Sequence, residues 1–306
     1  MKPETIPMFQ PLTGIYEPSA IQQLADGRFL VVEDEKQHPF SLVKLGPDGA
    51  AASTPLEQGW LDFNDAFWKL DDLEGLARDR SGNIYAITSH SRTGGGERKS
   101  RDKLVRFRID GDRVVETRVV GGLKPALSAT HPALAAAAKV RDVKADGGLN
   151  IEALEISADQ QRLMIGLRSP LIDHRAIIVG VENVNEMFEA GAPPRISAAL
   201  TTLDLGGNGI RGMAYLAALG GYLLIGGPVA RERVQFQVWF WSGHQDEPAH
   251  RVSVPGLVGF EHAEGICPAI IDDRQRIVIV SDDGDRVAGR PARFLLLDPE
   301  QLAIAA

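Results

Sequence analysis

Apolar and polar positions along the chain fall into short β-like runs separated by turn residues, and one phrase returns five times. Each return begins with a polar or charged head followed by a short apolar phrase: Ser19 (S-A-I), Glu74 (E-G-L), Glu152 (E-A-L), Arg211 (R-G-M) and Glu264 (E-G-I). A turn follows every phrase, and a second apolar run follows every turn, starting at Phe29, Ile84, Leu163, Tyr222 and Ile277. The heads lie 55, 78, 59 and 53 residues apart, and the offset from head to second run is 10, 10, 11, 11 and 13 residues. Short strands repeated at this period are the pattern of a β-propeller, in which each unit is one blade and equivalent residues converge on a common axis.

Each unit offers a third run at 42–45, 104–107, 176–179, 237–241 and 294–297. Fourth runs follow at 113–120, 198–203 and 251–254, and a weaker one at 50–56. The fifth unit has no fourth run, because the chain ends just after its third. The segment 6–12 is β-like and otherwise unassigned. Pairing it onto the last unit closes the ring and hides an exposed edge. The expected fold is therefore all-β: a five-bladed propeller of four-stranded antiparallel blades spanning 1–306 as one domain, closed by the N-terminal strand. Insertions at 58–70 (with Trp60, Phe63, Phe67 and Trp68) and 125–146 precede heads and are expected on the channel-mouth face as walls or lids. Residues 182–192 read as a short helix on the opposite side.

In such a ring the heads and the ends of the second strands share one mouth. Three carboxylates near the axis need a counter-charge, since each pair at about 4 Å repels by roughly 4 kcal/mol at an effective dielectric near 20. Ca²⁺ held by Ser19, Glu74, Glu152 and Glu264 answers this need. Arg211, forking onto two of the glutamates, answers it equally well. Above the heads, Arg92, Arg168, Arg211, Ser89 and Ser169 form an anion pocket, with His90, Asp282 and Glu152 as candidates for proton transfer.

Composition changes the picture only by exclusion. A net charge of -8 argues against a nucleic-acid surface, and the basic run 97–103 reads as a solvated loop. The single cysteine, Cys267, reads as a small buried hydrophobe. The start of the chain has no apolar core of signal-peptide length and no stretch reads as a membrane span, so the reading is a cytoplasmic protein with no membrane partner. Nothing in the sequence addresses the oligomeric state.

The phrases D-L-E-G-L-A-R, S-H-S-R, L-N-I-E-A-L, G-L-R-S-P-L, G-I-R-G-M and A-E-G-I-C-P resemble a bacterial family catalogued as domain of unknown function 3616, over roughly residues 15 to 298. That resemblance implies a fold and no activity. More distantly, the chain is similar to calcium-activated apyrases and esterase-like phytases. The apyrase resemblance implies five blades around a central Ca²⁺ with heads in the order Ser, Glu, Glu, Ser, Glu. Here the order is Ser19, Glu74, Glu152, Arg211, Glu264, so the fourth position departs and adds a positive charge where the ion would sit. The expected function is hydrolysis of a small anionic, phosphate-containing substrate at the channel mouth. The alternative is a propeller that binds a small ligand or peptide without turning it over.

Overall fold

The computed structural model describes residues 7–34, 39–46, 51–58, 64–94, 96–141, 143, 147–230, 235–260 and 262–305. Within them the chain builds five antiparallel sheets arranged as blades around one axis. Strand β1 (Gln10–Pro11) comes first and belongs to the last blade. Blade one is β2 (Pro18–Gln23), β3 (Phe29–Glu33), β4 (Phe40–Leu45) and β5 (Ala51–Pro55). Blade two is β6 (Leu73–Arg78), β7 (Ile84–Thr88), β8 (Leu104–Asp110) and β9 (Arg113–Val120). Blade three is β10 (Asn150–Ile156), β11 (Leu163–Ile172), β12 (Arg175–Val181) and β13 (Thr201–Leu203). Blade four is β14 (Gly209–Leu216), β15 (Gly221–Gly227), β16 (Gln237–Trp241) and β17 (His250–Ser253), and blade five is β18 (Ala263–Ile271), β19 (Arg274–Ser281) and β20 (Arg293–Leu297).

The ring closes as expected. β1 pairs antiparallel with β20, placing Gln10 opposite Phe294, so the N-terminal strand completes blade five. The end of the chain does something the sequence pattern did not announce. After a 3₁₀ turn at Pro299–Gln301, β21 (Ala303–Ile304) pairs with β17 and adds a fifth strand to blade four. Two outer edges are thereby covered by the two ends of the chain, a solution to the exposed-edge problem of any sheet.

Burial explains why the second runs are continuously apolar rather than alternating. Each blade is sandwiched between two neighbours, so both faces of its inner strands are buried. In β3, Leu30 and Val32 join the core between blades one and two, while Phe29 and Val31 join the core between blades five and one. β19 divides in the same way, Ile277 and Ile279 toward blade four and Val278 and Val280 toward blade one. Five such clusters, one per blade interface, make up the hydrophobic core. Cys267 lies fully buried in one of them, and burial pushes its thiol up, as expected of a small core residue.

The insertions serve this packing. Around α1 (Asp65–Trp68), Phe67 stacks on Phe40 with ring centroids 5.5 Å apart and meets Phe107 edge-on at 5.1 Å. Trp60 and Phe63 lie outside the described residues. The 125–146 insertion holds α2 (Leu123–Thr130, which begins just before it) and α3 (Pro132–Ala137), whose Leu123, Leu127 and Leu134 bury against blades two and three. The short helix α4 (Val184–Ala190) follows β12 on the face opposite the mouth, as the sequence predicts. Among the described residues no helix is long and apolar enough to cross a membrane.

Candidate functional site

The five heads are set apart by one local device. In every innermost strand the ladder to the second strand slips at the head: between Pro18 and Ala20, Leu73 and Gly75, Ile151 and Ala153, Ile210 and Gly212, and Ala263 and Gly265. Ser19, Glu74, Glu152, Arg211 and Glu264 are thus the extra residues of five equivalent β-bulges. A bulge removes one residue from the pairing and re-aims its side chain, here toward the axis. The residue after each head is alanine or glycine, and the reason is room. A methyl group on Gly75 would lie 2.8 Å from the Leu154 backbone nitrogen, and one on Gly212 would overlap the Glu264 carbonyl oxygen. Below that ring, Ile21, Leu76, Leu154, Met213 and Ile266 close the channel, leaving a void of only about 10 Å³.

Above the heads the channel opens into a cavity of about 500 Å³ lined almost wholly by polar and charged residues. Ser19, Glu74, Glu152, Arg211 and Glu264 face it, together with Arg92, Arg168 and Asp282 from the expected anion pocket. The position two residues before the head supplies Glu17, Asp72 and Asn150, a second ring that the same offset could have revealed. The end of the second strand supplies Asp34, Arg168 and Asp282. Arg141, from the helical insertion, and Arg101, from the basic run 97–103, complete the wall. That run is therefore not simply a solvated loop.

At the floor, the choice of counter-charge is visible. Arg211, only 8% exposed, reaches Glu152 through Nε (2.8 Å to Oε2) and Glu264 through Nη2. The Nε approach is an ionic contact off the hydrogen-bond axis, and Nη1 finds no acceptor among the described residues. The Phe236 ring lies 5.7 Å from the guanidinium, and Gly227 leaves space for the Arg211 stem, since a methyl there would sit 2.7 Å from its Cγ. Arg168 binds the other oxygen of Glu152 at 3.0 Å and the Pro228 carbonyl through Nε, which leaves Nη2 without a partner among the described residues. Asn150 also donates to Glu152 at 2.7 Å. Glu74 has no ion pair among the described residues, and burial, followed by the neighbouring Glu152, pushes it well above the usual carboxylate range.

The S-H-S-R phrase is corrected by its geometry. His90 is 0% exposed, adopts φ 55° and turns inward, with Nδ1 2.8 Å from the Thr88 carbonyl and Nε2 3.2 Å from Asp102. Burial depresses its basicity, and it does not line the cavity. Ser89 is also fully buried. Its hydroxyl, like that of Ser91 at 3.1 Å, donates to Asp72, which also takes a hydrogen bond from Arg101 at 2.8 Å. Ser169 is buried against the Gly148 carbonyl, to which its hydroxyl donates. His90, Ser89 and Ser169 are therefore supports beneath the wall, because the strand ends turn their side chains into the fold rather than toward the axis. Arg92 does reach the cavity and donates to the Lys139 carbonyl at 3.4 Å, while its buried Nε has no partner among the described residues.

The Asp34 carboxyl hydrogen-bonds that of Asp72, and burial, then the Asp72 charge, push it up to about 7. Asp282 is likewise raised, by burial first. The unfolded chain loses the Asp34 proton near 3.8, so between about pH 4 and 7 the folded state binds more protons than the unfolded one. Stability from this group therefore falls as pH rises through that window and levels off above it. Asp34→Asn removes the effect while its amide still donates to Asp72. The variant should match wild type near pH 4.5 and exceed it at pH 8 by roughly 1–2 kcal/mol, allowing for screening of a partly exposed group. Thermal melts at pH 4.5, 6 and 8 check this, and a gain that does not grow with pH refutes it.

This bulged ring coincides with a known sequence family. A family profile described as a protein of unknown function (DUF3616) matches residues 133–293, more than half of the 306 residues. The chain belongs to that family. The matched part holds blades three and four and the inner strands of blade five, and with them Glu152, Arg168, Arg211, Glu264 and Asp282. No curated protein matches the chain. Among solved structures it is similar to a GH43_1 enzyme from Xanthomonas citri, at 12% identity, covering 98% of this chain and 94% of that one, with a TM-score of 0.52. It is also similar to a putative oxidoreductase (glucose dehydrogenase) from Thermus thermophilus, at 15% identity over 95% and 100% of the two chains and a TM-score of 0.47. A gluconolactonase from Xanthomonas campestris aligns at 11% identity over 96% and 90%, with a TM-score of 0.43. At these identities the likeness is one of fold.

Proposed function

We propose that this protein hydrolyses a small anionic substrate, a phosphate ester or anhydride, held at the mouth of the channel. The observation that carries the reading is the cavity itself. The guanidinium groups of Arg92 and Arg168, the latter with an Nη2 that has no acceptor among the described residues, line the same space of about 500 Å³ as an Asp34 carboxyl pushed up to about 7. Guanidinium forks match phosphoryl oxygens, and a carboxyl with its pKa near the working pH exchanges protons most effectively. In this reading Arg92, Arg141 and Arg168 hold the anion. A water attacks phosphorus, the bond to the leaving oxygen breaks, and Asp34 or Asp282 takes the proton of the water and passes it to the leaving oxygen. Glu152 acts by positioning, since both its oxygens are occupied by Arg168 and Arg211.

Arg211 is the resident cation of the ring in this proposal. It engages Glu152 and one oxygen of Glu264, which leaves Ser19, Glu74 and the second Glu264 oxygen as the remaining head oxygens. That set falls short of the six to eight oxygens that Ca²⁺ prefers, so no step is assigned to the metal. A panel of phosphoesters and nucleotides, assayed with Ca²⁺ and with chelator, tests the proposal. Turnover should be indifferent to Ca²⁺ and fall at least about tenfold in Arg168→Ala, the loss of one charge-assisted pair. Ligand retention without turnover selects the non-catalytic binding reading instead. Neither turnover nor Arg168-dependent retention sinks both.

A further inference from the structure

The cavity is electrically divided, and the division follows from ring order. In a five-bladed ring, blade three faces the junction of blades five and one. Arg168 lies in β11 on blade three, Arg141 precedes blade three, and Arg92 leans onto the same insertion through the Lys139 carbonyl. The junction opposite contributes Glu17 and Asp34 from blade one and Asp282 from blade five.

Other charges of the lining are matched internally. Arg101 answers Asp72 at 2.8 Å, and Arg211 answers Glu152 and Glu264. Among the described residues Glu17, Asp34 and Asp282 have no ion pair, and on the opposite wall Nη2 of Arg168 has no acceptor. Arg211, more than nine-tenths buried on the floor between the walls, has a donor, Nη1, that is likewise unanswered.

We propose that the substrate is dipolar: an anionic group seated on Arg92, Arg141 and Arg168, and a cationic or ammonium group seated on Glu17, Asp34 and Asp282. This deepens the proposed function and rests on its placement of the anion. A plain anion would satisfy one wall and leave three carboxyls without an ion pair among the described residues. Two of them carry a physical signature: burial and then Asp72 raise Asp34, and burial raises Asp282, where Glu17 adds to the shift against the opposing charge of Arg211. A ligand ammonium would supply the missing counter-charge. A lining built almost wholly of polar and charged residues, with no aromatic side chain among them, suits a compact, strongly hydrated ligand rather than an aromatic one.

Two probes of similar size separate the ideas: O-phosphoethanolamine and propyl phosphate, titrated calorimetrically into the full chain at pH 8, where both phosphates are dianions and Asp34 is largely ionised. Wild type should bind the zwitterion at least about tenfold more tightly, the worth of one charge-assisted contact in a partly buried site. Asp282→Asn should cut that ratio severalfold. Arg168→Ala should weaken both probes alike. Equal or inverted affinities in wild type overturn the dipolar substrate but leave the anion site standing. Binding of neither probe, with a normal melting transition, overturns both.

Discussion

Arg211→Ala should lower the melting temperature by on the order of 10 °C. Glu152 and Glu264 are both buried, and Arg211 is the cation that lies between them. Deleting one member of a buried ion cluster leaves uncompensated charge in a low-dielectric interior and costs about 3–5 kcal/mol. In a chain of this size each kcal/mol shifts the midpoint by roughly 2–4 °C. Part of the loss arises from packing, because the Arg211 side chain also lies by the Phe236 ring. The charge argument has its own control. Arg211→Met combined with Glu152→Gln and Glu264→Gln removes the cation and the anions together and should recover most of the lost stability. Failure of the triple variant to recover would show that packing, rather than charge, dominates the site. Calorimetric or circular-dichroism melts read both results. Added Ca²⁺ offers a sharper contrast: in Arg211→Ala the three glutamates become available to a cation, so the ion should stabilise the variant more than the wild type.

A comparable loss is expected from a single methyl group. Gly212→Ala places its Cβ against the Glu264 carbonyl oxygen, a backbone atom that cannot rotate away, with Ile225 at 3.2 Å on the other side. Relief requires blades four and five to separate at the axis, where β14 and β18 touch. Overpacking of this kind costs about 1–3 kcal/mol and more where backbone must move. The effect should reach beyond stability, because Arg211 and Glu264 flank the clash and their ion pair depends on the approach of the two strands. Gly27→Ala is the matched control: its position is open, with nothing within 4 Å, so its only penalty is the left-handed backbone at φ 86°. Equal melting temperatures for the two variants would contradict the argument.

Legibility divided along physical lines. The number of blades, the pairing of β1 onto blade five and the five axial heads could all be read from local signals, since a strand with its turn is a local event and rotational repetition converts spacing into position. Other features were present in the sequence but needed the structure to be noticed. The ring at Glu17, Asp72 and Asn150 lies at a constant offset before the heads, and the alanine or glycine after every head marks the bulge. The S-H-S-R phrase misled because its residue types suit an anion pocket. Only the backbone decides direction, and at φ 55° His90 turns into the fold while Ser89 supports Asp72. Arg101 was hidden for the opposite reason: a dense basic run is ordinarily solvated, yet Asp71 and Asp72 draw this arginine inward.

Residue order alone thus settled how many blades there are, which residues stand at their heads and how the ring closes at the N-terminus, because strand length, turn chemistry and period are encoded locally. The tertiary structure alone decided how the heads partner. Whether Arg211 neutralises Glu152 and Glu264 or points away depends on strands more than 50 residues apart meeting at the axis, and on Gly212 and Gly227 leaving room for them to do so. Segregation of the remaining charge into two facing walls has the same origin. It is a property of ring order, which places blade three opposite the junction of blades five and one.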